Sequence, residues 1–328
     1  MRSFSYQRPD DIAGAVAAGR QAGARYIAGG TNLLDLMKAD VEQPHHLVDV
    51  SRLPLREVTD TSEGGLHIGA LVSNADLAAD DRVRRRYPML ALALLNGASA
   101  QLRNQATIAG NLLQRTRCPY FYDVSKPCNK RTPGSGCSAL DGYNRMHAVL
   151  GRSASCIAVH PSDMAVAMAA LDAEVEIQGA DGPLHALPIA ELHRLPGNTP
   201  ERDTALEAGD LITGITLPPP PSGRQTYRKV RDRASYAFAL VSVAAVLDTV
   251  DGRVSEARLA LGGVAHKPWR ARDAEHLLIG STIGKEAFDT AGILALKGAI
   301  GGAHNTFKIE LAQRTVAGTF EELAAGRG

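Results

Sequence analysis

All four cysteines of this 328-residue chain, Cys118, Cys128, Cys137 and Cys156, fall inside one stretch between Thr107 and Asp163. Cysteines gathered so tightly read as one site, and Pro127, Pro133, Gly134 and Gly136 supply the turns that fold a backbone around a compact object. The intervening spacings are nine, eight and eighteen residues. No Cys-x-x-Cys pair exists, which speaks against a zinc ribbon or a thioredoxin-like redox motif, and neither common ferredoxin spacing is present.

Charge bears on the same segment. Between Gln101 and Cys156 stand the bases Arg103, Arg115, Arg117, Lys126, Lys130, Arg131, Arg145 and Arg152 against the acids Asp123 and Asp141. That gives +6 locally in a chain whose total is +1, so the remainder carries −5. Cations near thiolates favour metal or iron–sulfur ligation. Two disulfides, or unrelated free thiols, are the competing readings of the same residues.

The near balance of 36 basic and 35 acidic residues gives no support to a nucleic-acid or polyanion partner. No run approaches the roughly 18 apolar residues of a membrane span. The start, Met1 to Pro9, lacks the apolar core of a signal peptide, so any export is expected to go through a signal-bearing partner.

With 45% hydrophobic residues the chain can bury more than one domain core. Pro9-Asp10-Asp11 predicts a helix cap, followed by a helix closed at Gly23 and a strand at Tyr26–Ala28. His46–Val50 and Leu66–Ile68 read as strands with Gly64-Gly65 turning between them, and a helix is expected from Pro88 towards Leu102. A further helix begins at Pro161 or Ser162, and Glu174–Gln178 and Leu211–Leu217 are strands. Pro218 to Pro221 form a stiff spacer, placing the domain boundary at 221/222. Beyond it lie a strand over 224–231, a hairpin turned at Asp251-Gly252, and a helical last third from Ala271 to Leu323.

Two glycine loops stand out. Ala28-Gly29-Gly30-Thr31-Asn32 follows a strand, and Thr107-Ile108-Ala109-Gly110-Asn111 has the same small, amide-bearing character. Neither has Rossmann or P-loop spacing. Singly each is an ordinary turn; paired, they can enclose a pyrophosphate from two sides. The run Arg82, Arg84, Arg85, Arg86 is read as a solvated helix end, His45-His46 as packing, and no nucleophile elbow or His-Glu-x-x-His spacing occurs. Tyr227 to Arg233 is either an exposed charged edge or a strand whose lysine or arginine reaches an anionic ring.

Together these residues resemble the FAD-binding medium subunit of the molybdenum hydroxylases, the xanthine dehydrogenase and aldehyde oxidoreductase family. The two loops, Ser162-Asp163 and Ala260-Leu261-Gly262-Gly263-Val264-Ala265 carry the resemblance across nearly the whole chain. In most members the second loop runs almost directly into the Ser-Asp pair. The insertion here, about 114–160, is similar to that of the periplasmic aldehyde oxidoreductase branch, which carries a 4Fe–4S cluster; one is also found in 4-hydroxybenzoyl-CoA reductase.

The resemblance implies an α+β architecture: a PCMH-type (VAO-like) FAD-binding domain over 1–221, then a smaller α+β domain of the CO dehydrogenase flavoprotein type over 222–328. It implies that Tyr26, Ile27, Ala28, Gly29, Gly30, Thr31, Asn32 and Leu33 wrap the FAD pyrophosphate, with Thr107, Gly110, Asn111 and Leu113 opposite. Asp163 would bind the ribityl or flavin side, Ile212 pack on the adenine side, and Lys229 sit near the flavin carbonyls. Cys118, Cys128, Cys137 and Cys156 would hold the 4Fe–4S cluster. The implied partners are a molybdenum-cofactor large subunit that oxidises aldehydes to carboxylic acids, a 2Fe–2S small subunit and an external electron acceptor. The implied compartment is the periplasm, with the cytoplasm as alternative. A xanthine dehydrogenase or hydroxybenzoyl-CoA reductase flavin subunit, a self-sufficient flavin oxidase, and a zinc- or disulfide-stabilised binding module are the competing functions.

Overall fold

The computed structural model describes residues 1–326 as an α+β structure with three sheets. Strand β1 (Ser5–Gln7), helix α1 (Ile12–Gly19), strand β2 (Ala24–Ile27), helix α2 (Leu33–Lys38) and strand β3 (His46–Asp49) form the first. Its strands are parallel in the order β1-β3-β2, the pairing that helical crossovers permit. Asp11 caps α1 as the sequence predicts, its carboxylate accepting from the Gly14 amide at 2.7 Å.

The next segment corrects two expectations. Gly64, at φ +86°, closes a hairpin between β4 (Val58–Asp60) and β5 (Leu66–Gly69), so β3 and β5 belong to different sheets. After α3 (Asn74–Ala79) and α4 (Asp81–Arg86), the helix expected from Pro88 to Leu102 is two helices, α5 (Pro88–Asn96) and α6 (Ala100–Gln105). Between them Ala98 takes φ +50°, and Ser99 starts α6 by accepting from the Leu102 amide. Helix α7 (Ile108–Leu112) follows at once, and α8 (Pro119–Tyr122) is the one helix within the cysteine segment among the described residues.

Helix α9 (Asp163–Ala170) is capped by Ser162, whose hydroxyl accepts from the Ala165 amide at 2.9 Å, and every residue of it is buried. Strands β6 (Glu174–Gln178) and β7 (Leu184–Pro188), helix α10 (Ile189–Leu192) and β8 (Leu211–Leu217) complete an antiparallel sheet ordered β4-β5-β8-β6-β7. The proline run separates β8 from β9 (Arg224–Val230), which opens a second antiparallel sheet with β10 (Val241–Val250), β11 (Arg253–Gly262) and β12 (Trp269–Arg270), ordered β12-β11-β10-β9. Asp251 and Gly252, both at positive φ, turn the β10–β11 hairpin. Helices α11 (Arg272–Leu278), α12 (Lys285–Ala295) and α13 (Phe307–Ala324) cover its far face.

Helices α5 and α9 lie between the two antiparallel sheets. Leu90, Leu94, Met164 and Met168 share one core with Ile68 and Ile215 on one side and Ala244, Val246 and Ala260 on the other. At roughly 2 kcal/mol for each large side chain, that burial locks the sheets together and fixes the N-terminus of α9, and so Asp163, between them.

Candidate functional site

The first loop leaves β2 at Ile27 and enters α2. A Cβ on Gly29 would overlap the carbonyl oxygen of Gln105, so the backbone of this loop lies directly on the chain entering the second loop. The loops face each other across a cavity of about 600 Å³. Residues 26–33, Thr107, Gly110, Leu113 and Ile212 all line it, so most of the expected site is brought together. The amides of residues 29–32 donate to no acceptor among the described residues. Asn32 Nδ2 is buried without a partner, while Asn32 Oδ1 accepts from the Arg115 amide at 2.9 Å. Unused donors around a cavity suit a polyanion such as a dinucleotide pyrophosphate.

Asn111 departs from expectation. Its Oδ1 accepts from the Ser162 hydroxyl and from Gln114 Nε2, both at 2.7 Å, so it ties α7 to the cap of α9 rather than lining the cavity. Tyr26 shapes the wall by donating to the Gly209 carbonyl at 2.7 Å, and burial pushes its phenol up to about 12.

A second cavity, of about 140 Å³, opens at Ser162 and Asp163 and is lined also by Thr116, Cys118, His147 and Ser242. Asp163 is a hub beside it: Oδ1 accepts from the Tyr227 hydroxyl at 2.5 Å and Oδ2 from Lys229 Nζ at 2.7 Å. Lys229 also donates to the Asn96 carbonyl at 3.0 Å. This corrects the reading of β9 as an exposed charged edge. Although β9 is a sheet edge, the Lys229 side chain is only 2% exposed, and its charge is matched by Asp163. Burial and the neighbouring carboxylate hold the Tyr227 phenol well above its usual range. Ser242 Oγ is buried at this cavity without a partner.

The four cysteines are free thiols surrounding one small cavity, with Tyr120, Phe121, Pro127 and Lys130 among its other walls. Cys128 and Cys137 face each other in an antiparallel bridge, and the Arg131 guanidinium closes the loop on the carbonyls of Tyr120 and Phe121 at 2.6 Å. Cys118 lines both this cavity and the one at Asp163, and its Sγ lies 3.1 Å from His147 Nε2. Burial pushes the thiols of Cys118 and Cys156 up to about 12 and about 11. Among the described residues, no three His, Cys, Asp or Glu side chains are grouped to hold one metal ion.

The basic surplus of the segment is mostly spent elsewhere. Arg115 pairs with Glu42 and Asp203, Arg145 with Asp232, and Arg103 binds the Gly97 carbonyl. Only Lys130 lines the cysteine cavity, and it too pairs with Asp203. Asp203 is a residue that sequence reasoning missed. Burial raises its carboxyl, but Lys130 and Arg115 outweigh that and hold it well below the carboxylate range. It stands in a polar loop with no local mark of its role, and its partners lie far away in sequence.

Comparison with known proteins adds the family. Residues 2–220 match the FAD binding domain in molybdopterin dehydrogenase, and residues 225–323 match the CO dehydrogenase flavoprotein C-terminal domain. The chain is 56% identical over 326 residues, 99% of each chain, to the aldehyde oxidoreductase FAD-binding subunit PaoB of Escherichia coli K12. It is 30% identical, over 89% of this chain and 85% of the other, to the carbon monoxide dehydrogenase medium chain of Afipia carboxidovorans. Among solved structures, carbon monoxide dehydrogenase from Hydrogenophaga pseudoflava superposes with a TM-score of 0.77 at 25% identity, covering 99% of this chain and 98% of that one. The chain belongs to the family of FAD-binding medium subunits of the molybdenum hydroxylases.

Proposed function

We propose that this chain is the flavin-bearing electron-transfer subunit of a molybdenum hydroxylase that oxidises aldehydes to carboxylic acids. The observation that carries the reading is its 56% identity, end to end, with an aldehyde oxidoreductase FAD-binding subunit. On this reading the unused amides of residues 29–32 and the Asn32 carboxamide hold the pyrophosphate. Ile212 borders the adenine end, and Asp163 and Ser242 border the ring end. Bound FAD supplies the exchange of electrons between partner subunits and an external acceptor. The chain's own residues position it: Tyr227 and Lys229 hold Asp163 fixed, and the Gly29–Gln105 approach holds the loops together.

The cysteine cavity is proposed to hold a 4Fe–4S cluster. Four free thiols around one cavity are the donor set such clusters use. The proposed assembly joins this chain to a molybdenum-cofactor large subunit and a 2Fe–2S small subunit, with export through a signal-bearing partner.

Co-expression with the partner subunits tests the reading. The purified chain should carry about one flavin, four irons and four sulfides, and the assembly should oxidise aldehydes. Preferred turnover of a purine or a CoA thioester would replace the substrate class. A colourless, zinc-containing chain would sink the reading. Cys128→Ser should lose iron while retaining most of the flavin; unchanged iron would refute the ligand set.

A further inference from the structure

Lys308, on α13, is fully buried, and its ammonium has no carboxylate partner among the described residues. Nζ donates instead to three carbonyls, those of Met146 at 3.4 Å, His147 at 2.9 Å and Gly263 at 2.5 Å. Other cations buried to a similar degree each hold an acid: Lys130 has Asp203, Lys229 has Asp163, and Arg270 has Glu275. Buried charges are ordinarily paired, so this exception asks for a counter-charge.

The carbonyl partners say where that counter-charge belongs. Met146, His147 and Gly263 all line the 140 Å³ cavity at Asp163, so the ammonium stands immediately behind its wall. Gly263 is at φ +72° and a Cβ on it would press on the Ala239 and Leu240 carbonyls; glycine lets the strand end turn its own carbonyl to Lys308. Lys229 beside Asp163 is neutralised by it, and Arg117 in the cavity wall donates to the Tyr122 hydroxyl and lies over the Phe238 ring, so Lys308 adds a second cation without an acid partner at the ring end among the described residues.

We propose that Lys308 is a positioning residue for the flavin, its ammonium favouring the reduced, electron-rich ring across the cavity wall. The proposal rests on the flavin reading above. It agrees with the state of the amine without an anion opposite: burial, reinforced by Arg145, lowers Lys308 to about 7. The competing role is a neutral clamp that docks α13 on residues 146–148. Asn305 supplies the control, since its Nδ2 donates to the carbonyls of His147 and Ala148 without any charge.

The test is a spectroelectrochemical titration of the holoprotein carrying Lys308→Met, Lys308→Arg or Asn305→Ala. At the wild-type midpoint, Lys308→Met should lower the reduced-to-oxidised flavin ratio at least tenfold, about 30 mV for a two-electron couple. Lys308→Arg should restore most of it, and Asn305→Ala should lower the melting temperature with the ratio unchanged. Lys308→Gln carries the same test if the methionine variant does not fold. An unchanged flavin ratio in either charge-removing variant, an equal shift in Asn305→Ala, or a shift confined to the iron–sulfur signal would overturn the proposal. A wild-type protein without flavin would overturn the flavin reading and this one with it.

Discussion

Asp163 and Lys229 show what a buried pair demands of single residues. With side chains 7% and 2% exposed, neither can be repaid by water if its partner leaves. Asp163→Asn should therefore cost roughly 3–5 kcal/mol in chemical denaturation of the chain, while Asp163→Leu combined with Lys229→Met should recover a large part. Equal losses in the single and double variants would show that the pair is not coupled. Gly29→Ala acts by another route: its Cβ would strike the Gln105 carbonyl, prise the loops apart and reduce flavin affinity more than tenfold. Equilibrium binding of FAD checks this, and wild-type affinity would show that the loops tolerate separation. The sequence singled out Gly29 for the pyrophosphate and gave no hint of Gln105. A close approach between backbones 76 positions apart leaves no local signature.

At the scale of elements, legibility followed locality. The caps at Asp11 and Ser162 and the Asp251-Gly252 turn are written in neighbouring residues, and all form as predicted. The α5–α6 break was obscured by leucines that keep helical spacing up to it. It serves contacts made elsewhere, since Lys229 takes the Asn96 carbonyl and Arg103 the Gly97 carbonyl. Ala98 at φ +50° bears the strain, so Ala98→Gly should raise stability by about 1 kcal/mol in urea unfolding, and a loss would show that the break is unstrained. The cysteine segment is the opposite case: its cations were visible, but their partners were not. Lys130, 1% exposed, and Arg115 both lean on Asp203. Asp203→Asn should free the segment, speeding proteolysis between Lys126 and Arg145 and lowering stability by about 3 kcal/mol or more. Unchanged cleavage would locate the anchorage elsewhere.

The whole molecule is drawn together at one polar knot, and its histidines set an acid limit. His160 and His193 both donate through Nε2 to the Leu112 carbonyl, and His266 donates through Nδ1 to Arg194. These contacts gather the second glycine loop, the segment before α9, the loop around Asp203 and the loop leading from β11 to β12. Ten histidines without ligand spacing gave no hint of this, because the three come from distant stretches and meet only after both antiparallel sheets close. Burial lowers all three, His160 well below its ordinary 6.5 and His266 to about 4, so the folded chain keeps them neutral. The unfolded chain takes up protons below pH 6.5 while the folded one does not, so each contribution is intact above pH 6.5 and lost as pH falls towards the folded value. His266 alone accounts for roughly 3 kcal/mol. Asp203 has the same sign lower down: its depressed carboxyl contributes above its ordinary 3.8 and ceases to as pH falls further. The urea midpoint of the cofactor-free chain should thus drop steeply between pH 6.5 and 4, and His266→Gln should flatten part of that drop. A midpoint constant down to pH 4.5 would mean that these imidazoles accept protons inside the fold, and that the knot is not dry.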